Sequence, residues 1–413
     1  MGNFARGRRL KSGPGRAMIA EIRPVGWRQT RSTGMPNGYQ VGCYYFPGYH
    51  TDPANEKLHG KGWTEWNLVR QATPRFKGHH QPLVPRWGYQ DEADPRVMEQ
   101  KIAAAAGHGL DYWIFDWYWY DDGPFIDRCL EEGYLKARNN RRLKFCCMWA
   151  NHDWIDIHPA KLGAPPTLHH RGAVTPQTWE RITKHVIGRY FTHPSHFTID
   201  GSPYFSFYDL QKLVESFGSL RKTRAALDGF RARTMRAGFP GLHLNAVVWG
   251  QTILPGEKAP VDSVGLVKAL GFDSVTSYVW IHHVGLPAFP TNPYAKVRDA
   301  YLDYWDGAKD RFGVPYFPNV TMGWDSSPRT IQSDAWVPRG AYPYGNMIRG
   351  NTPHAFRNAL QITRRRLDRQ GGPRILNINA WNEWTEGSYL EPDTVSGMKY
   401  LEAIRSAFGH DDE

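Results

Sequence analysis

The chain has 413 residues, of which 22% are charged and 14% are aromatic, and its formal net charge at pH 7 is +11. That length is enough for a large hydrophobic core, either in one barrel-sized domain or in two or three smaller domains. No run of about 18 apolar residues occurs and no signal peptide is visible, so neither a membrane span nor export is expected.

The excess positive charge is concentrated at the start of the sequence. Residues 1–40 contain eight Lys or Arg residues and a single acid, Glu21, so the rest of the chain carries a net charge of only +4. Because residues 1–38 are rich in Gly and Arg and lack apolar periodicity, we predict a disordered basic tail there and one catalytic domain over 39–410. No nucleic-acid-binding motif follows, so no nucleic-acid partner is expected.

The four cysteines predict neither disulfides nor a zinc site. Cys146 and Cys147 are neighbours on a predicted strand and point to opposite faces, and Cys43 and Cys129 complete no CxxC pair. A reducing compartment, and hence a cytoplasmic protein, is the default expectation. The sequence has no HExxH motif and no DxD motif before a nucleotide-type strand, so no metal and no cofactor is expected; it predicts no oligomeric state.

Eight short segments rich in β-branched and aromatic residues are typical of parallel strands buried on both faces. Helix-like stretches separate them, and three begin with an Asp–Pro or Thr–Pro pair, which is typical of a helix start. The predicted strands are 41–46, 110–116, 143–149, 203–209, 242–249, 272–278, 315–323 and 374–381. The predicted helices are 94–109, 124–138, 175–190, 219–238, 257–270, 295–311, 352–372 and 396–408.

This alternation predicts an α/β fold, a single (β/α)8 TIM barrel. No Gly/Ser linker divides the chain. A long loop, 47–93, follows the first strand, and loops of that length in compact domains are usually functional. Since the active site of a TIM barrel lies at the carboxyl ends of its strands, the residues that follow each predicted strand are the candidates for a site.

Aromatic and polar residues are concentrated at those strand ends. Flat aromatic faces suit sugar rings, and burying an indole requires a partner for its N–H, so the 17 Trp favour a ligand-lined cleft over a merely Trp-rich core. Several candidates could instead order loops or pack the barrel mouth. The candidate substrate-binding residues are Tyr45, His50, Glu65, Asp116, Tyr118, Trp119, Trp149, Asn151, His152, Asp153, Tyr208, Trp249, Tyr278, His282, Trp324, Trp381, Asn382 and Trp384.

The last predicted strand runs into "NAWNEWTEGSYLEPD", which contains four carboxylates and two indoles. Glycosidic cleavage needs a proton donor and a second carboxylate. If the chain turns helically here, Glu383 and Glu386 become neighbours with Cβ atoms about 5–6 Å apart, and nearby indoles would raise the pKa of one carboxyl. We therefore predict them to be catalytic; the alternative is a solvated pair of glutamates in a loop. Glu391 and Asp393 are predicted to order the loop or to cap a helix.

This segment resembles the signature of the WbsX-like proteins, which belong with the glycoside hydrolase family 99-like domains. "YYFPGYH", "FDWYWYDDG" and "FCCMWANHDW" resemble the family's first three strand ends, and the match runs in order from about residue 41 to 395. The resemblance implies a (β/α)8 barrel and a retaining, endo-α-mannosidase-like mechanism. In that mechanism Glu383 would deprotonate the sugar 2-hydroxyl, which attacks C1 to form a 1,2-anhydro sugar. Glu386 would protonate the leaving oxygen and then activate water.

One position departs from the family pattern. WbsX-like proteins usually read Trp-Ala-Asn-Glu at the third strand end, whereas this chain reads Trp149-Ala150-Asn151-His152 and continues with Asp153. We predict that His152 and Asp153 line a subsite. The alternative is a histidine behind the site that is hydrogen-bonded to Asp153 or to a loop carbonyl.

The predicted activity is hydrolysis of α-linked glycosidic bonds in an oligo- or polysaccharide, with carbohydrate as the partner. Three alternatives stay open. A glycosyltransferase of surface-polysaccharide synthesis is the label long attached to WbsX-like sequences, but no Rossmann-like nucleotide fold is apparent. A polysaccharide lyase could use His152, His282 or His283 as its base. A sugar-binding barrel without turnover would not need both glutamates.

Overall fold

The computed structural model describes residues 2, 38–258, 260, 262–338 and 340–409. The predicted tail, 1–38, therefore lies outside the described residues except for its residues 2 and 38. The predicted barrel is confirmed, because consecutive strands lie side by side in one parallel sheet with helices around it. Its strands are β1 (Gln40–Tyr45), β2 (Tyr112–Tyr120), β3 (Lys144–Trp149), β4 (Ser202–Phe207), β5 (His243–Val247), β6 (Ser274–Thr276), β7 (Tyr316–Phe317), β8 (Asn319–Thr321) and β9 (Ile375–Asn379).

The barrel closes at the seventh predicted strand, which Pro318 divides into β7 and β8. Proline has no N–H to give to a β-ladder. The segment before it pairs with β6, where Tyr316 lies opposite Val275, and the segment after it pairs with β9, where Asn319 lies opposite Asn377. The sheet order is thus β7-β6-β5-β4-β3-β2-β1-β9-β8, and its two ends are joined through one residue.

Large side chains fill the interior of the barrel. The Tyr112 ring lies inside it, where the hydroxyl donates to the Asn377 side-chain oxygen at 2.8 Å and the Asn377 amide donates to Thr276 at 2.9 Å. Gly42 makes room for that ring, since a Cβ at this position would fall 2.4 Å from it. The barrel is therefore a packed core rather than a pore, and a ligand can reach it only at its ends.

The three helices predicted from proline-containing starts are confirmed. Their N-cap residues are Asp94, Thr175 and Thr352, and each N-cap side chain accepts an N–H from the first helical turn. Among the described helices, none combines the length and apolarity needed to cross a membrane. The helices are α1 (Pro53–His59), α2 (Trp66–Gln71), α3 (Pro95–Ala106), α4 (Pro176–His185), α5 (Leu210–Phe217), α6 (Leu220–Arg236), α7 (Ser263–Leu270), α8 (Tyr294–Ala308), α9 (Pro353–Gln370) and α10 (Lys399–Phe408).

The prediction of a helix over 124–138 is wrong. Strand β2 continues to Tyr120, and Gly123–Phe125 folds back to pair with it in antiparallel fashion. A π-helical turn, Cys129–Gly133, and a short 3-10 turn, Tyr134–Lys136, follow. Gly133 allows the close approach of this turn to the segment before α3, since a Cβ there would lie 2.2 Å from the carbonyl oxygen of Glu92.

Short strand pairs follow the carboxyl ends of several barrel strands, and one more lies at the amino-terminal end of β4. The long segment after β1 is also not a structureless loop, because it contains α1 and α2. The additional pairs join Trp154–Ile155 to Leu168–His170, Thr291–Pro293 to Met347–Arg349, and Asn382–Glu383 to Ser388–Tyr389, while Thr198–Ile199 pairs with β4.

Candidate active site

A cleft with about 650 Å³ of empty space, partly open to solvent, lies at the carboxyl ends of the strands. Both predicted catalytic residues and many of the predicted binding residues line it. These are Asp116, Tyr118, His152, Asp153, Tyr208, Tyr278, His282, Trp324, Glu383 and Glu386. The position of this cleft at the ends of the strands agrees with the prediction from the barrel fold.

A tight turn after β9 brings Glu383 and Glu386 to the same cleft. Asn382–Glu383 pairs with Ser388–Tyr389, and a 3-10 turn over Trp384–Glu386 connects them. Gly387 ends the turn with φ +63°, a backbone conformation that favours glycine. A Cβ there would also fall 2.8 Å from the Cβ of Asp325, so a side chain does not fit at this position. The predicted helical turn is therefore present, and it places both carboxyl groups on one side.

The guanidinium of Arg329 bridges the two glutamates. Its Nη1 lies 2.6 Å from Glu386 Oε1 and its Nη2 lies 3.2 Å from Glu383 Oε2. Tyr342 donates its hydroxyl to the same Glu386 oxygen at 2.7 Å, and the ring of Phe46 lies 5.4 Å from the guanidinium carbon. With only 5% of Arg329 exposed, this ion pair is largely shielded from water.

The two carboxyl groups share a raised affinity for protons. Burial raises the pKa of Glu383 well above its usual value, the charge of Glu386 raises it further, and Arg329 opposes both effects. Burial also raises the pKa of Glu386, but Arg329 and the Tyr342 hydroxyl oppose the rise. Because Glu386 has the closer contact with the guanidinium, Arg329 opposes the rise of the Glu386 pKa more directly than that of the Glu383 pKa.

This raised pKa predicts that Glu383→Gln stabilises the fold more at about pH 7 than at about pH 4. Below the unfolded-state pKa, both the folded and the unfolded state hold the proton, so the carboxyl group has no differential effect. Above it, the unfolded state releases the proton, and the stability of the folded protein falls as pH rises toward the folded-state pKa. Glutamine cannot titrate and avoids this loss.

Melting temperatures of the parent and of Glu383→Gln at both pH values test the prediction, with exposed Glu402→Gln on α10 as the control. An equal gain at the two pH values would contradict it.

Asp116 offers an unused hydrogen-bonding atom to the cleft. Tyr278 donates to Asp116 Oδ2 at 2.9 Å and lies 3.4 Å from Glu383 Oε1. Oδ1 of Asp116 is buried and has no partner among the described residues. Burial raises the pKa of Asp116 well above its usual value, so the group is suited to donate a hydrogen bond to a ligand oxygen.

Glu65 lies behind Arg329 rather than at the cleft surface. Its Oε1 is 3.2 Å from His158 Nε2 and 3.9 Å from Arg329 Nη2. Burial would raise the pKa of Glu65, but the charges of Arg329 and His158 outweigh burial and bring the pKa down to about 2. Glu65 therefore remains ionised and adds a third carboxylate near the guanidinium, facing the same Nη2 that contacts Glu383.

His152 lines the cleft and also makes a hydrogen bond to the backbone of its neighbour Asp153. Its Nδ1 lies 2.9 Å from the Asp153 carbonyl oxygen, and its ring contacts Tyr118 and Tyr208 at centroid distances of 5.6 and 5.5 Å. Burial lowers the pKa of His152 to about 4, so the ring is neutral near pH 7. Asp153 pairs with Lys212 at 2.9 Å. A neutral ring cannot act as a cation for an acidic sugar.

The structure does not bring Trp119 and Trp149 into the cleft. Side chains alternate along a strand, so Asp116 and Tyr118 of β2 face the cleft while Trp119 faces the helices, with its ring centroid 5.1 Å from that of His185. Trp149 packs against Trp179 at 5.9 Å. Both indoles belong to the layer between sheet and helices.

Five other predicted binding residues support the strand ends from behind. Asn151, for example, exchanges two side-chain hydrogen bonds with the Asp209 backbone, at 2.7 and 2.9 Å. Their contacts fix loops instead of forming the cleft wall. They are Tyr45 (packed on Trp113), His50 (bonded to the Ile126 carbonyl), Asn151, Trp249 (bonded to the Tyr208 carbonyl) and Asn382 (bonded to the Phe46 backbone).

Trp381 and Trp384 also lie outside the cleft, because their indole N–H groups both point to Glu391. The two N–H···O distances are 2.8 and 2.7 Å. Lys101 Nζ lies 2.5 Å from Glu391 and 2.5 Å from Glu92, and all three charged side chains are almost completely buried. We call Glu92, Lys101, Trp381, Trp384 and Glu391 the Lys101 cluster. Glu391 thus holds the turn that carries Glu383 and Glu386, as part of a buried ion-pair network.

Sequence reasoning missed Arg329, Tyr342, Phe46, Trp154 and His158. All but Tyr342 line the cleft, and Tyr342 contacts Glu386 directly. For Arg329 and Tyr342 the available signal was the long segment between β8 and α9, which follows a barrel strand as the long segment after β1 does. Among the described residues, no group of three or more His, Cys, Asp or Glu side chains is arranged to hold a metal ion.

Over residues 41–404 the chain matches the family described as "Glycosyltransferase WbsX". The chain belongs to the WbsX family. It is 25% identical over 93% of its length to the uncharacterized protein WxcX of Xanthomonas campestris pv. campestris strain B100, and 26% identical over 88% to WxcX of strain ATCC 33913. These matches cover 52% and 49% of the two relatives, so this WbsX-family chain spans about half their length.

Two solved structures share the fold of this WbsX-family member. One is described as a glycoside hydrolase-like protein, with a TM-score of 0.56, 14% identity, and coverage of 90% of this chain and 94% of the other. Another is the GH99 endo-α-mannosidase from Bacteroides thetaiotaomicron in complex with bis-tris-propane, with a TM-score of 0.50, 12% identity, and coverage of 89% and 96%. At these identities the similarity establishes the glycosidase-like barrel fold and not the reaction.

Proposed function

We propose that this protein is a glycoside hydrolase that cleaves α-linked bonds in an oligo- or polysaccharide. The observation that carries the proposal is the buried pair of Glu383 and Glu386, which lies at the carboxyl ends of the barrel strands and is bridged by Arg329. Two carboxyl groups with raised pKa values are the equipment that acid–base cleavage of a glycosidic bond requires. The barrel shared with glycoside hydrolases supports the same reading.

The assignment of roles follows the resemblance to family 99. Glu383 would accept the proton of the sugar 2-hydroxyl as that oxygen attacks C1, and Glu386 would protonate the leaving oxygen, with net retention of configuration. This division of roles requires Glu383 to be ionised and Glu386 to be protonated when substrate is bound. The contacts of Arg329 and Tyr342 with Glu386 oppose its protonation, so substrate would have to weaken them, because a carboxyl group that loses its cation gains proton affinity.

Incubation of the protein with a panel of α-linked glycans, without added cofactor, tests the proposal. New reducing ends support hydrolysis. Unsaturated, ultraviolet-absorbing ends would instead identify a lyase, and product formation only with a sugar nucleotide would identify a transferase, as the family's description suggests. Binding without any product would leave a sugar-binding barrel.

His152→Ala should change the preference between accepted glycans by about tenfold in kcat/KM, because a lost hydrogen bond to substrate is worth roughly 1.4 kcal/mol. The melting temperature should change little, since only one ring nitrogen of His152 is bonded within the described part of the chain. Kinetics on two glycans before and after the change give the answer. His108→Ala, at a half-buried histidine following α3, is the control. Unchanged ratios would contradict a subsite role.

A further inference from the structure

A second cavity adjoins the catalytic cleft and has no part in the function described so far. It contains about 930 Å³ of empty space, including space open to solvent, and Trp324 lines both cavities. Glu386 lines the cleft, while the next residue, Gly387, lines the second cavity. The Asp325 N–H donates to the Glu386 carbonyl at 2.6 Å. The second cavity therefore begins within one residue of the proposed proton donor.

The second cavity is not arranged for a second reaction. Its two buried carboxylates are already fully engaged by other groups. Asp325 accepts hydrogen bonds from His79 at 2.8 Å and from Gln81 at 2.7 Å, and Asp393 accepts from the Tyr389 hydroxyl at 2.8 Å. Backbone N–H groups also donate to each of them. No carboxyl group is thus left to act as an acid or base.

The remaining lining is suited to hold a hydroxyl-rich ligand. His80, Arg349 and Asn351 line the cavity, and their side chains make no hydrogen bond to the described part of the chain. The rings of Phe76 and His79 stack at 4.8 Å with only 10° between their planes, and Phe76 is partly exposed in the wall. Flat rings beside free hydrogen-bonding groups are the combination that binds sugars.

The frame around these groups is rigid. Arg349 ends a strand, Met347–Arg349, that pairs with Thr291–Pro293. A Cβ at Gly323 would fall 2.4 Å from the Asn351 side-chain nitrogen, so the segment carrying Trp324 lies directly against Asn351. The free side chains therefore project from backbone that is fixed relative to Glu386, as a preformed binding site requires.

We propose that this second cavity is a subsite for a further sugar residue of the same glycan, reached past Trp324 on the Glu386 side of the cleft. The inference rests on the proposed hydrolase function and adds that the substrate is a chain longer than the cleft alone accommodates. A glycan residue in the cavity would hydrogen-bond to Arg349 and Asn351 and pack against Phe76.

Arg349→Ala and Asn351→Ala test the proposal with α-linked manno- and gluco-oligosaccharides from disaccharide to hexasaccharide. We expect kcat/KM to fall by about tenfold or more, but only above a threshold length, because only longer chains reach the cavity. Arg365→Ala, which replaces an exposed arginine within α9, is the matched control and should show no dependence on chain length. Equal effects at every length would overturn the proposal.

Binding measured in the Glu386→Gln background separates this inference from the hydrolase proposal. Calorimetry with the same oligosaccharides should show that Arg349→Ala weakens binding of long chains by about tenfold. If the parent protein hydrolyses none of the glycans but this length-dependent loss is seen, the subsite stands and the hydrolase proposal falls. Affinity that does not depend on chain length, or on Arg349, would overturn the subsite even where hydrolysis is observed.

Discussion

Glu383→Gln and Glu386→Gln should each lower turnover by at least about two orders of magnitude, because loss of a general acid or base typically costs ~10²–10⁴-fold in rate. The fold should remain intact, since glutamine preserves the shape of the side chain. Far-UV circular dichroism and melting temperature report the fold, and initial rates on the best glycan of the panel report turnover. Glu402→Gln on α10 is the control and should retain full activity.

Substrates with an activated leaving group distinguish the two glutamates. Such a group needs little protonation, so it should partly restore turnover to Glu386→Gln and much less to Glu383→Gln. If the 2-hydroxyl is the nucleophile, 2-deoxy and 2-fluoro analogues should be inert even with a good leaving group. Rapid turnover of those analogues would exclude the anhydro-sugar route and favour an ordinary two-carboxylate mechanism.

Lys101→Met should destabilise the protein by about 3–5 kcal/mol, the usual cost of removing one partner from a buried ion pair. Lys101 lies 2.5 Å from each of two buried carboxyl groups, and without it Glu391 loses its cation while still bound to two indoles. The free energy of unfolding from denaturant titration measures the loss. Activity should fall as well, because Trp381 and Trp384, which flank Glu383 in the turn, are held by Glu391.

Two further variants test whether the uncompensated buried charge causes the destabilisation expected for Lys101→Met. Arg138→Met removes a partner from the exposed pair with Glu99 and should cost little stability, because solvent screens that pair. Adding Glu391→Gln and Glu92→Gln to Lys101→Met should recover a substantial part of the lost stability, since no unpaired charge then remains. A cost for Lys101→Met as small as that for Arg138→Met would contradict the role of the Lys101 cluster.

The sequence was sufficient to predict the barrel, because eight buried strands with helical connections leave few other arrangements. It also predicted the turn that brings Glu383 and Glu386 to one cleft, since the two residues are close in sequence and are followed by a glycine. It could not predict Arg329, whose contact with Glu386 spans 57 residues and depends on how a long segment folds across the barrel mouth.

The tryptophans show a second limit of prediction from the sequence, namely the direction in which a side chain points. Their positions after strands predicted a place near the site, which is correct for Trp324 in the cleft wall. Which way an indole points, however, depends on strand alternation and on where its N–H finds an acceptor. Trp119 is the neighbour of Tyr118 within β2 and so faces the helices. Trp381 and Trp384 turn toward Glu391, a carboxylate several residues later.

The Lys101 cluster also sets the order in which the protein can mature during synthesis. Asn382 donates to Glu92 across 290 residues of sequence, and β1 has β9 as one of its two neighbours. A ribosome delivers the N-terminal elements first, so Lys101 and Glu92 remain without Glu391 until the segment that carries Glu383 and Glu386 has also been made. The buried ion pairs of Lys101 and the contacts of Arg329 with the two glutamates therefore form only once that segment is available, and a nascent fragment that ends before it lacks both.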